Sequence, residues 1–228
     1  MGLPPVMLVH GWGGSFQQTW VSTPLVPLLE DAHRTVIGVD LLGHGDAPKP
    51  HDAMAYADMT QRVVDGLPAE PVDAVGFSLG AMTLLHTAMA RPESFRRLVL
   101  AGIGENVFRR DAERTKRIVA AVRGEVSDDD VMANLFAQYA GGPGNDREAL
   151  ALVMERDQEP FAAADLAMVT CPVLVVIGDK DFAGPGQPLV DALPNATLTT
   201  LRNVDHFATP EKFSFIDAVL DFLAHEDT

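Results

Sequence analysis

Val75-Gly76-Phe77-Ser78-Leu79-Gly80-Ala81-Met82 sets a serine between two glycines, directly after an apolar run and directly before a helical one. Gly76-Phe77-Ser78-Leu79-Gly80 fits G-x-S-x-G, a pattern in which the serine occupies a sharp strand-to-helix turn. Glycine and serine also make ordinary turns, so these five residues alone leave a reactive serine and a plain bend both open. The ends of the other strands decide between them.

Working outward, apolar runs of strand length recur along the chain. Val6-Met7-Leu8-Val9 ends at His10-Gly11, Thr35 to Val39 ends at Asp40, and Val72 to Val75 ends at Gly76. Arg97 to Ala101 ends at Gly102, Val173 to Ile177 ends at Gly178, and Ala196 to Leu201 is the last. Several are almost wholly apolar, as strands covered on both faces must be. Helical patterns alternate with them: Met59 to Leu67, Leu79 to Ala90 (stopped by Arg91-Pro92), and Phe213 to Leu223 with its broad apolar face. Alternating strands and helices predict an open, mostly parallel, doubly wound α/β sheet, with ligands beyond the carboxyl ends of the strands.

One stretch breaks the alternation. Between Gly102 and Pro172 there is no strand signal, only helical patterns at Asp111 to Arg123, Ser127 to Gln138 and Arg147 to Arg156, with a Gly141-Gly142-Pro143-Gly144-Asn145 turn. The expected organisation is a core of residues 1–103 and 171–228, with a helical lid, 104–170, inserted over the strand ends. Arg109, Arg110, Arg114, Lys116, Arg117 and Arg123 form a basic run in which Glu113 is spaced to pair with Arg117, so a solvated helix face is expected there rather than an anion site. The glycine cluster lacks the G-K-[ST] of a phosphate loop, and Gly102-Ile103-Gly104 lacks the third glycine of a dinucleotide fingerprint.

Composition removes other classes. At 228 residues, 47% hydrophobic and 21% charged, the chain fits one globular domain. A net charge of -15 argues against nucleic acid, anionic membranes and strongly anionic substrates, although a local field can differ from the total. The single cysteine, Cys171, has no partner for an internal disulfide and reads as a small buried hydrophobe before Pro172. No secretion signal or long apolar span is visible, so the Asn195-Ala196-Thr197 sequon carries little weight and a cytoplasmic protein is expected. There is no H-E-x-x-H or cysteine–histidine set, so neither metal nor cofactor is expected.

A serine hydroxyl is a poor nucleophile until a base takes its proton, and the base needs a third group to orient it. Past the fifth run stands Gly178-Asp179-Lys180-Asp181, offering two carboxylates, and past the sixth stands Asp205-His206-Phe207. Serine, acid, histidine is the chain order of one hydrolase architecture. An oxyanion would need two backbone N–H donors. Leu79, at the helix start, supplies one, and Trp12, in His10-Gly11-Trp12-Gly13-Gly14 after the first run, is assigned the other.

With these residues in hand, the chain resembles the α/β-hydrolase fold family. The resemblance rests on His10-Gly11-Trp12-Gly13, Asp40-Leu41-Leu42-Gly43-His44-Gly45, the serine turn, Gly178-Asp179-Lys180-Asp181 and Asp205-His206. It departs from the family in opening almost at the His10-Gly11 strand, without the leading antiparallel strands. The resemblance favours Asp181, three residues after Gly178, over Asp179 as the acid, with Glu105 an outside candidate. It implies Ser78, Asp181 and His206 as the catalytic set, His10 and His44 as structural, and a serine rather than an aspartate nucleophile. Trp12, Phe77 and Phe207 are expected to contact substrate, while His33, His51, His86 and His225 are expected at the surface or in packing.

The implied function is a serine hydrolase of carboxylic esters with short to medium acyl chains, working through an acyl-enzyme. The alternatives are the same residues acting on a C–C bond, a lactone or an amide, or in peracid formation, and a non-catalytic receptor on the same fold. The expected partner is a small neutral ester, with no nucleic acid and no membrane, on a monomer or homodimer.

Overall fold

The computed structural model describes residues 3–125 and 129–224. Six strands, β1 (Val6–Val9), β2 (Val36–Val39), β3 (Val72–Phe77), β4 (Phe95–Ala101), β5 (Val173–Gly178) and β6 (Ala196–Leu201), form one sheet in the order β2-β1-β3-β4-β5-β6. Every pairing is parallel. The chain leaves β1 toward one edge, then crosses back past it to β3, so the strand order reverses between β1 and β3. That switch point opens a crevice outside their carboxyl ends, and both Trp12 and Ser78 stand there.

The continuous apolar runs are explained by the two faces of the sheet. Met7 and Val9 of β1, Ala74 of β3 and Leu98 and Leu100 of β4 pack in one cluster with Leu84, Leu85 and Ala88 of helix α3 (Leu79–Ala90). Their neighbours Val6, Leu8, Val75, Val99 and Val176 point the other way. There they meet Leu25 and Leu29 of α1 (Leu25–Asp31) and Phe215, Ile216 and Val219 of α9 (Phe213–Ala224). Period-two alternation thus puts both sets of side chains out of water. Helices α2 (Gln61–Gly66) and α8 (Gln187–Ala192) complete the layers. α1, and the π-helical turn Gln17–Val21 before it, lie outside the expected elements because Pro24 and Pro27 interrupt the helical pattern there.

Between β4 and β5 come α4 (Ala112–Val122), α5 (Val131–Ala140), α6 (Arg147–Glu155) and α7 (Ala163–Leu166), with no strand among the described residues. The three longer helices are each capped by an aspartate whose carboxylate accepts a backbone N–H three residues on, from Asp111, Asp130 and Asp146. The helix expected from Ser127 therefore starts at Val131, behind the Asp130 cap; Ser127 itself lies outside the described residues. The expected Glu113–Arg117 pair is replaced: Glu113 binds Lys116 at 2.8 Å and Arg117 reaches across to Asp130 at 2.9 Å. The cap already holds Asp130 beside Arg117, so the bond between helices prevails over the one within. Among the described residues no helix is long and apolar enough to cross a membrane.

Candidate active site

The serine turn is built by sterics. Ser78 sits at φ 51°, ψ −111°, a conformation that costs a non-glycine residue roughly 1–3 kcal/mol and persists only where the surroundings impose it. Its N–H donates to the Ala101 carbonyl (2.8 Å), and its carbonyl accepts from Met82 (3.0 Å), locking the bend between strand and helix. The flanking glycines answer the question their positions raise. A Cβ on Gly76 would stand 2.7 Å from the backbone of Ala81, and one on Gly80 would stand 2.5 Å from the His10 carbonyl oxygen. Without side chains there, α3 starts tightly against both its own strand and the loop after β1.

The turn aims the hydroxyl along the sheet edge at His206. Ser78 Oγ lies 3.0 Å from His206 Nε2, and His206 Nδ1 lies 2.9 Å from both Asp181 oxygens. The His206 side chain is 6% exposed and the Asp181 side chain is fully buried. With its Nδ1–H given to the carboxylate, His206 presents a bare Nε2 to the hydroxyl. Phe182 and Phe77 pack on the ring at 4.2 and 4.9 Å, and Phe207 meets it edge-on at 5.4 Å. Asp181 also accepts the Ala183 N–H at 2.8 Å, which fixes its turn.

Of the two carboxylates past β5, Asp181 is the one that meets the histidine. Asp179 instead accepts the Val204 N–H at 3.3 Å, and Glu105 is drawn into an ion pair with Arg109 at 2.7 Å. The N–H groups of Trp12 and Leu79 find no acceptor among the described residues.

His10 fixes the loop that carries Trp12. Its Nε2 accepts the Leu41 N–H at 3.1 Å, so Nδ1 is protonated and donates to Gly11 O at 2.7 Å. His44 holds Leu42 O at 3.0 Å and meets the His10 ring at a tilt, centre to centre 5.1 Å. Burial pushes the pKa of both rings below the usual histidine value, His44 well below.

The remaining histidines lie elsewhere. His51 pairs with Asp146 at the surface, His33 is exposed, and His86 packs on Phe161; His225 falls outside the described residues. Cys171 is half-buried, its thiol pushed up to about 11 by burial. Among the described residues no cluster of histidine, cysteine or carboxylates could hold a metal ion.

Two cavities meet at Ser78. The smaller, about 60 Å³, is lined by His206, Phe77, Phe207, Trp12 and Tyr139. The larger, about 260 Å³, runs under the inserted helices past Trp12, Leu79, Met82, Ile118 and Met154. The expected contacts Phe77 and Phe207 thus line the smaller cavity alone, and Trp12 lines both. Met82, Ile118 and Met154 belong to no catalytic motif; the signal for Ile118 and Met154 is apolar spacing on amphipathic helices, and Met82 is one more apolar residue of the largely buried α3. Two bonds tie the Trp12 loop to the insertion: the indole N–H donates to Leu150 O (3.0 Å), and Asn145 Nδ2 donates to Gly13 O (2.8 Å).

Comparison with known proteins agrees with this architecture. The sequence pattern of the alpha/beta hydrolase fold matches residues 4–123. The chain is 30% identical to a 2-hydroxymuconate semialdehyde hydrolase of Pseudomonas sp. (strain CF600), over 98% of this chain and 88% of the other. It is also 30% identical to a pimeloyl-[acyl-carrier protein] methyl ester esterase of Neisseria meningitidis, over 95% of this chain and 78% of that one. Among solved structures, the 2-hydroxy-6-oxo-6-phenylhexa-2,4-dienoate hydrolase of Rhodococcus sp. strain RHA1 superposes with a TM-score of 0.74 at 21% identity, covering 97% of this chain and 90% of that one. Sequence pattern, near-full-length relatives and sheet order agree: the chain belongs to the α/β-hydrolase fold family, and it is a hydrolase.

Proposed function

We propose that this hydrolase cleaves carboxylic esters of short to medium acyl chain through an acyl-enzyme on Ser78. The observation that carries the reading is the unbroken line from Asp181 through His206 to Ser78, with the serine held in a strained turn at a cavity mouth. Ser78 Oγ attacks the acyl carbon while its proton passes to His206 Nε2. The resulting imidazolium is stabilised by Asp181. The carbonyl oxygen, now an oxyanion, takes the free N–H groups of Trp12 and Leu79. Collapse breaks the bond to the alcohol oxygen, which receives the proton from Nε2. A water then gives its proton to His206 and attacks the acyl carbon, and the acid leaves as Ser78 Oγ recovers the proton.

The proton must be delivered to the alcohol by His206, so the alcohol lies on the histidine side, in the smaller cavity. The acyl chain then occupies the larger one, whose volume suits a short to medium chain and whose roof is the inserted helices, acting as a lid. A second reading, with the same residues acting on a dienoate, is favoured by the likeness to 2-hydroxymuconate semialdehyde hydrolase.

Rates on p-nitrophenyl esters from acetyl to palmitoyl, beside amides and a ring-cleavage dienoate, test both. Butyryl to octanoyl esters are expected to be best; a marked preference for palmitoyl overturns the acyl assignment, and faster turnover of the dienoate than of any ester favours the second reading. Ser78→Ala, with an unchanged circular dichroism spectrum, is expected to lose roughly a million-fold in kcat. Retention of more than a few per cent of the rate by the folded variant refutes the nucleophile.

A further inference from the structure

The wall of the larger cavity carries four arginines, Arg109, Arg110, Arg114 and Arg156. Two are already neutralised: Arg109 by Glu105 at 2.7 Å and Arg110 by Asp157 at 2.8 Å. The other two have no carboxylate within ion-pair distance among the described residues. Arg156 spends its donors on neutral oxygens, the Val153 carbonyl and the Gln158 side chain. Burial and the neighbouring Arg110 pull its guanidinium down to about 10, so it stays cationic at neutral pH. Arg114 sits over Phe182, its Cζ 4.7 Å from the ring centre, and the same ring packs on His206 at 4.2 Å. One aromatic ring therefore separates this cation from the base.

The two acids on the same wall do not neutralise the pair. Asp111 accepts the Arg114 backbone N–H as a helix cap, and Glu159 is exposed at the rim. Both arginines are half-buried; a guanidinium partly withdrawn from water without an anion is costly, and its planar fork of donors matches a carboxylate. Met82, Ile118 and Met154 give the same cavity an apolar lining beside Ser78 and the arginines.

Resting on the ester reading above, we infer that the acyl group ends in a carboxylate: the substrate is a half-ester of a short dicarboxylic acid, its chain along the apolar floor and its free carboxylate on Arg114 and Arg156. This departs from the neutral ester expected from overall charge, because a net charge of -15 does not set the field inside one cavity.

The test compares kcat/KM for p-nitrophenyl hydrogen adipate and for p-nitrophenyl adipamate, equal in size and differing in charge. The adipate is expected to be preferred about ten- to a hundredfold, and Arg114→Gln, on the outer turn of α4, is expected to reduce that ratio about tenfold. Equal rates in the wild type, or a ratio untouched by Arg114→Gln, overturn the inference. Moving the carboxylate to the leaving group, as 4-hexanoyloxybenzoate against the corresponding benzamide, is expected to bring no preference. A preference there instead overturns the placement at the acyl end. If no ester is turned over in a Ser78-dependent way, the ester reading fails by itself, and calorimetry with adipamate still reads the cation pair. Binding weakened about tenfold in Arg114→Gln supports it, and equal binding overturns it.

Discussion

The strand ends and the inserted helices face each other across the same cavity, yet they are held by opposite means. At the strand ends hydrogen bonds fix the turns, and glycines let backbone meet backbone: Gly80 against the β1 loop, Ser78 on Ala101, His10 on Leu41. The insertion rests on apolar contacts beneath and on exposed ion pairs above, such as Arg123 with Glu148 and Glu155. The first arrangement fixes atoms for a reaction. The second leaves the Arg114 and Arg156 guanidinium groups without a carboxylate partner among the described residues.

That contrast can be broken at several points. The largest effect is expected from Asp181→Asn, which leaves the geometry but gives His206 the wrong tautomer; kcat should fall roughly 10⁴-fold. Asp179→Asn keeps an amide oxygen able to accept the Val204 N–H and should cost far less. A greater loss at Asp179 than at Asp181, measured as kcat on one ester, would overturn the assignment of the acid.

Gly80→Ala comes next, because there propensity and packing predict opposite signs. In a helix alanine is better than glycine by about 1 kcal/mol, but the new methyl group would meet the carbonyls of Val9 and His10. Overpacking of that kind costs about 1–3 kcal/mol, so a net fall in melting temperature is expected. A rise would show that the turn has slack.

A smaller effect follows from the two buried rings. His10 and His44 are held neutral in the fold, with pKa values below the usual histidine value, while in the unfolded chain each takes up a proton below about pH 6.5. Their contribution is therefore complete above that pH and declines as acid is added, by at most about 1.4 kcal/mol per pH unit for each ring. Urea midpoints measured between pH 7.5 and 5 should fall with pH, and less steeply in His44→Asn. An identical slope in the variant would refute the link. Smallest of all, Arg123→Ala should cost less than about 1 kcal/mol, and less again in high salt, since its partners are partly exposed. A cost of several kcal/mol would mean that surface charge, rather than the apolar underside, holds the insertion.

What was legible in the sequence divides along the same line. The four central strands announce themselves because a strand covered on both faces has to be nearly apolar throughout, while β6, a partly exposed edge strand rich in threonine, still falls on the expected residues to the last position. Ser78, Asp181 and His206 are legible because a tight turn, a strand end and a fixed chain order restrict which residues can stand there. The larger cavity is not. Met82, Ile118 and Met154 differ in no local way from helix residues that merely fill a core, and Arg114 reads as one more charge on a wet face. Which of the run's arginines found carboxylates depended on contacts between helices, as the Arg117–Asp130 pair shows, and no spacing within α4 encodes those.

The two tryptophans fall on opposite sides of the sheet. Trp20 is sealed against Phe215 in the cluster beneath α1 and α9 and touches neither cavity. Trp12 lines both cavities, leans on Phe136 and gives its indole N–H to Leu150 in the insertion. The molecule thereby contains an optical reporter together with its own internal standard. Emission that changes when a ligand fills the site, or when the insertion parts from the β1 loop, comes from Trp12, against a steady signal from Trp20, so binding and any movement of the insertion can be followed without any label.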